Sequence, residues 1–262
     1  MSDFKSLAPA DLRLACRDGS FDGPTSGHAQ GHVQANMVIL PSDYAEEFQQ
    51  FCENNPQPCP TLEVLAPGCF EPKKVAPQAD IRTDLPRYRV FRDGVPISDP
   101  TGIQDLWSDD LVTFLLGCSF VAEDALMKAG LLLPHIAETG FVPMFRTTVP
   151  CMSAGRFSGT MVVSMRPFTH EEAARAAEIT KHYPMAHSAP IHVGDPAALG
   201  IKNIEKPEFG HPVTMTADQV PVFWPCGVTP QEAIVNAKPP IAITHAPGHM
   251  FVADITSEST RI

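Results

Sequence analysis

A chain of 262 residues with 44% hydrophobic and 19% charged residues can bury a full core, and its composition excludes a disordered polymer. The net charge of -11 disfavours nucleic acid as a partner, because neutralising phosphates needs clustered Lys and Arg. No apolar run reaches the roughly 20 residues of a membrane helix, and Met1-Ser-Asp-Phe-Lys-Ser6 lacks the basic flank and apolar core of a leader, so a cytoplasmic location is expected.

In chain order, a first helix is predicted from Pro9 to about Asp18, with proline in its first turn and Gly19 beyond its end. Val33 to Leu40 reads as a buried strand. Ser42 is then placed as the cap of a helix with Tyr44, Phe48, Phe51 and Cys52 on one face. Leu62 to Leu65 is a short strand, and Tyr88 to Ile97 a hairpin turning at Asp93-Gly94. Ser108 to Leu116 is predicted as a helix that continues or restarts over Phe120 to Lys128. Strands follow at Val142 to Thr148 and Gly159 to Met165, and Thr169-His-Glu-Glu172 is a capping box opening a helix to about His182. Val213 to Thr216 and Val220 to Trp224 read as strands, Thr229-Pro-Gln-Glu232 as a helix start, and Ile241 to Thr244 and Met250 to Ala253 as late strands. Strands alternating with helices give an α/β fold of mixed α and β, taken as a single domain over residues 1–262 or as two intertwined lobes. The 27 prolines, spread over element ends, predict rigid connections.

The seven cysteines form no Cys-x-x-Cys pair, so a zinc ribbon or thioredoxin motif is not expected and reduced thiols are the default. Four segments carry candidate chemistry. Asp80 to Arg89 packs Arg82, Arg87 and Arg89 together. Guanidinium groups suit a small diacid, although Asp80 and Asp84 also fit a surface hairpin of ion pairs. Binding and structural readings are even for Arg82, and the structural one is preferred for Arg87 and Arg89. Arg146 and Arg166, at predicted strand ends, are further carboxylate binders. In Gly117-Cys-Ser-Phe-Val-Ala-Glu123, small residues could open a helix N-terminus toward an anion and lower the Cys118 thiol pKa, with Glu123 as a buried acid or base; a helix packing point fits as well. After Trp224, the segment through Cys226 to Thr229 joins a strand to a helix, so its N–H groups could line a ligand crevice, or simply connect the two. His187 and His192, in a shaped loop, are read as acid/base groups or as metal ligands, although their spacing of five matches no common zinc pattern. His245 follows a strand and is the preferred substrate contact, with Lys238 nearby as a charge or as a solvated lysine.

Taken together, Gly23-Pro-Thr-Ser-Gly27, Gln34-Ala-Asn-Met-Val-Ile-Leu-Pro41, Phe51-Cys-Glu-Asn-Asn-Pro-Gln-Pro-Cys-Pro60, Asp80-Ile-Arg-Thr-Asp-Leu-Pro86, Leu116-Gly-Cys-Ser-Phe120, Val163-Ser-Met-Arg-Pro167, Pro221-Val-Phe-Trp-Pro-Cys-Gly-Val-Thr-Pro230 and Ile243-Thr-His-Ala-Pro-Gly248 resemble the D-glutamate cyclase family of hydro-lyases. Ser188 stands where glycine usually follows the histidine, and His211 where aspartate is usual. The resemblance implies a lyase that cyclises D-glutamate to 5-oxo-D-proline with loss of water, and carries no catalytic set over residue by residue.

On the residues themselves, such a reaction assigns acid/base work to His245, His187 or Glu123, the α-carboxylate to Arg82 or Arg146, and the oxyanion to N–H groups around Cys226 to Thr229. Cys118, Arg166, His192, Thr229 and Lys238 complete the expected substrate contacts, with Cys226 or Cys118 as a thiol nucleophile in a lesser scheme. No metal and no cofactor is required. The expected partner is a small amino acid or carboxylic acid, and a homo-oligomer is left open. The same parts would serve dehydration of a hydroxy diacid, and a carboxylate-binding regulator without turnover is the rival from another class.

Overall fold

The computed structural model describes residues 4–262; Met1 to Asp3, part of the stretch read as lacking a leader, lie outside the described residues. Two antiparallel sheets organise the fold. The first has seven strands built around β1 (His32–Pro41), ten residues long and buried along nearly all its length. One edge of β1 pairs with β5 (Leu111–Leu116), which in turn pairs with β2 (Thr61–Leu65). Its other edge is shared end to end, Gln34 and Ala35 pairing with β11 (Phe251–Thr256), and Val38 and Ile39 with β10 (Ala242–His245). Beyond β10 come β3 (Tyr88–Arg92) and β4 (Val95–Ser98), whose Asp93-Gly94 turn holds both residues at positive φ, +50° and +79°, as a tight hairpin needs.

Period-two alternation sends successive β1 side chains to opposite cores. Val33, Ala35, Met37 and Ile39 join Tyr88, Leu115 and Ile243, with Val121 and Ala122 of helix α3 (Phe120–Lys128) laid over them. Val38 and Leu40 join Phe114 and the Phe48 and Phe51 face of α2 (Ser42–Asn54), where Phe48 meets Phe114 edge-on at 4.8 Å between centroids. Helix α1 (Pro9–Arg17) closes the outside of β11 through Leu12, Ala15 and Cys16.

The second sheet comes from the middle of the chain, in the order β6 (Met144–Pro150), β7 (Thr160–Thr169), β9 (Gln219–Pro225) and β8 (His192–Val193). Helix α5 (His170–Thr180) starts on the expected capping box, Thr169 and Glu172 bonding reciprocally, and packs Ala173 and Ala176 on Phe168 and Trp224. Leu126 of α3 enters this same cluster, so α3 is clamped between the two sheets. Helix α6 (Thr229–Ala237) reaches back the other way, sending Ala233 and Ile234 into the α2 side of the first sheet. No helix among the described residues is long and apolar enough to cross a membrane.

Four local expectations are corrected. Residues 111–116 form β5 and not a helix. All six are buried, so the run carries no amphipathic period, and Val112, Thr113 and Phe114 suit a strand between two partners. Residues 213–216 make no ladder; they are mostly exposed, with the Thr214 N–H donating to Glu138. Ser42 is the first residue of its helix and not the cap, and its side chain caps no backbone N–H there. In addition, every strand pairing is antiparallel, which removes the parallel-sheet rationale for a crevice beyond Trp224.

Candidate active site

A cavity of about 670 Å³, counting its open mouth, lies where the sheets meet. Asn36, Arg89 and His245 reach it from the first sheet, Met144 and Cys226 to Val228 from the second, and Gln231 from α6. Cys118 to Phe120 lead into α3, and His187 comes from the turn after Pro184–Ala186. Two close approaches assemble it. A Cβ on Gly117 would sit 1.9 Å from the Met185 carbonyl, so a bare glycine lets the end of β5 abut the turn that delivers His187. A Cβ on Gly227 would lie 2.1 Å from the Asn36 amide, so this glycine seats the loop after β9 directly on β1.

Both cavity histidines are fully buried and neutral. Burial pushes each down to about 4, the carbonyl hydrogen bonds only partly opposing it, and the Arg166 charge adds to the effect at His187. In each ring Nδ1 meets a backbone carbonyl, Gln57 O at 2.7 Å for His187 and Ala246 O at 2.8 Å for His245; this puts the His187 proton on Nδ1, and at His245 the Gln231 amide beside Nε2 selects the same tautomer, with the lone pair on Nε2. Nε2 of His245 stands 3.2 Å from the Gln231 amide nitrogen and 3.0 Å from Asn36 Oδ1. The Asn36 amide is oriented by donating to the Gly117 carbonyl at 2.6 Å, which turns its oxygen toward the imidazole.

The thiols behave unlike the expectation. Burial raises Cys118 to about 12 and Cys226 to about 11, although N–H groups of Phe120, Gly227 and Val228 partly stabilise the sulfurs. Desolvation outweighs the helix terminus, and both remain thiols at neutral pH. The backbone donors expected to face an oxyanion are also engaged. Cys226 N–H bonds the Val162 carbonyl and Thr229 N–H that of Cys226, while those of Gly227 and Val228 turn onto the Cys226 sulfur.

Behind the cavity wall lies a buried ion network. Glu123 Oε1 receives Arg166 at 2.5 Å and His135 Nε2 at 3.0 Å. Burial alone would raise the Glu123 pKa, but the charges of His135 and Arg166 and their hydrogen bonds hold it well below the usual range, so it is an ion and not a proton carrier. The Arg166 guanidinium also donates to Ser164 at 3.1 Å and to Ser119 at 3.0 Å, over the Trp224 ring.

Of the expected site residues, Cys118, Cys226, His187 and His245 line the cavity. The others do not. Arg82 pairs with Asp80 at 2.7 Å on a Phe70 ring, Arg146 pairs with Glu232 on an exposed edge, and Glu123 and Arg166 neutralise each other. The Thr229 hydroxyl bridges to the Val162 backbone, His192 bonds the Asp195 carbonyl and stacks on Phe223, and Lys238 is an exposed helix terminus. Arg89, set aside as a hairpin ion pair, is the cavity's arginine. Asp99 takes its Nε and Nη2, leaving Nη1 outside the pair. Asn36, Gln231 and Ser119 were missed as site residues; an amide inside a buried apolar strand was the signal for Asn36. Ser188 holds φ at +59°, the left-handed backbone a glycine adopts freely, so the loop keeps its shape despite the departure. His211 packs edge-on against Phe141 of the cavity wall.

Two neutral imidazoles and an arginine thus share one cavity on an antiparallel α/β scaffold. A family profile described as D-glutamate cyclase matches residues 112–254. A provisionally named hydro-lyase of Geobacillus kaustophilus is 51% identical over 96% of this chain and 96% of its own length. Similarly named proteins of Stutzerimonas stutzeri (49%, covering 98% of this chain and 97% of theirs) and Bacillus subtilis (47%, covering 98% and 100%) match as fully. The chain belongs to the D-glutamate cyclase family. A solved nitrogen repressor-like protein of Methanococcus jannaschii aligns over 95% of the chain and 97% of its own, at a TM-score of 0.39 and 11% identity, too low to bear on fold or function.

Proposed function

We propose that this chain is a hydro-lyase that closes D-glutamate into 5-oxo-D-proline, expelling water, with His245 as the base. The observation that carries this is the pair of amides at His245 Nε2, in a family whose relatives are named for water-eliminating chemistry. In the resting ring, Gln231 donates to the Nε2 lone pair. Once Nε2 takes a proton from the substrate ammonium, it becomes a donor to Asn36 Oδ1, which Gly117 holds in place. Burial weakens His245 as a base, and the same low-dielectric surroundings favour the neutral amine over the ammonium, so the transfer is balanced. The freed amine attacks the γ-carboxyl carbon and the C–N bond forms. His245 passes its proton to one carboxyl oxygen, takes a second from the adduct nitrogen and delivers that too, so the C–O bond breaks and the oxygen leaves as water, with the lactam keeping one N–H. Arg89 Nη1 is the cation available to the α-carboxylate, and the cavity holds the chain bent for closure.

Incubation with D-glutamate should yield 5-oxo-D-proline, and His245→Ala should lower kcat by about 10²–10⁴. Turnover of a hydroxy diacid with D-glutamate untouched would remove the cyclisation and keep the elimination class. Because both cavity thiols are protonated, Cys118→Ser and Cys226→Ser should keep kcat within about tenfold of wild type. Complete loss in either, with the variant folded and binding substrate, would bring back thiol catalysis.

A further inference from the structure

We propose that Ser119 is the donor that meets the departing carboxyl oxygen, its rotamer set by Arg166 from behind the cavity wall. This rests on the reaction proposed above and supplies the element its backbone failed to provide. Ser119 lines the cavity, at the residue before α3. Its Oγ accepts from Arg166 Nη2 at 3.0 Å, and among the described residues its own proton has no acceptor. It also caps nothing, since no N–H of α3 bonds to its side chain. A hydroxyl whose lone pair is held by a guanidinium can only satisfy its proton elsewhere, and the cavity is the space in front of it. The guanidinium is itself fixed by Glu123 and Ser164, and Glu123 by His135. Polarised by the cation, the Oγ–H is a stronger donor to an oxygen gaining negative charge in the tetrahedral adduct. It keeps its proton throughout; the proton completing the water comes from the histidine that took it. With the N–H groups of Cys226 to Thr229 committed to carbonyl and sulfur, this hydroxyl is an uncommitted donor lining the cavity on the α3 side.

Steady-state kinetics with D-glutamate on Ser119→Ala, Ser119→Thr and Arg166→Lys test this, alongside calorimetric binding of glutarate, which has both carboxylates and no amine. Ser119→Ala should lower kcat about 10²-fold with KM within about threefold, and Ser119→Thr should recover most of the loss. Arg166→Lys, if it unfolds cooperatively like wild type, should lower kcat at unchanged KM, because the charge stays and the fork that orients Ser119 is gone. A wild-type kcat in Ser119→Ala overturns the proposal, whatever binding does. If wild-type protein leaves D-glutamate untouched, the cyclase reading fails and glutarate decides whether Ser119 donates to a carboxylate at all: measurably weaker binding by Ser119→Ala, within the same threefold limit as KM, supports it, while equal binding, or none by wild type, overturns it.

Discussion

Replacing Glu123 by alanine is expected to cost about 3–5 kcal/mol of folding stability, the largest loss from any one ion pair among the described residues. The pair is worth this in the breaking, not in the making. Bringing Arg166 and Glu123 out of water costs nearly what their attraction returns, so the intact network adds little to net stability. Removing the carboxylate strands a guanidinium with 3% of its side chain exposed, between Trp224 and two serine hydroxyls that cannot neutralise it. The matched control is Arg82→Ala. That residue's pair with Asp80 is about a quarter exposed, and its loss should cost no more than about 1 kcal/mol. Urea denaturation of both variants at pH 7 measures the contrast. Equal costs would mean that the Glu123 charge is solvated in the folded protein.

Stability should also fall steeply as pH drops from about 6.5 toward 4. His187 and His245 titrate near 6.5 when unfolded and at about 4 when folded, so in that window the unfolded chain binds more protons. Stability therefore rises with pH there, is fully present above 6.5, and is lost progressively on acidification. Each ring contributes on the order of 3 kcal/mol over the whole window, and the two add because their carbonyl partners are separate. Glu123 extends the loss below about 4.5, since its lowered pKa contributes stability that disappears only as it is finally protonated. Denaturation midpoints at pH 7, 6 and 5 should show the slope, and His187→Asn should reduce it by roughly half. A flat profile between pH 7 and 5 would show that neither imidazole is buried and neutral.

How far the sequence revealed this depends on what each residue's neighbours had to supply. The Thr169 capping box, the Asp93-Gly94 turn and the Phe48 and Phe51 face are local, so their patterns suffice. Residues 111–116 were misread because a strand covered on both faces has no period, and only its pairing with β1 and β2 separates it from a buried helix. The histidines and cysteines of the cavity stood out by residue type. The arginines were harder. Arg82, Arg89, Arg146 and Arg166 look alike in sequence, and what distinguishes them is which carboxylate each one meets in space: Asp80, Asp99, Glu232 or Glu123. Asp80 lies within two residues, but Glu232 is 86 positions from its arginine, beyond the reach of any motif.

The split edge of β1 sets an order on assembly. Its free flank is filled by β10 and β11, the last of the described strands, and His245 meets Asn36 across 209 positions of chain. Until residues 242–256 leave the ribosome, the central strand stays open on one side with its apolar side chains and backbone donors bare, a surface to which any other unfinished strand could bind. The cavity wall that His245 and Asn36 share can therefore form only after residues 242–256 have emerged, and the open flank of β1 needs covering until then.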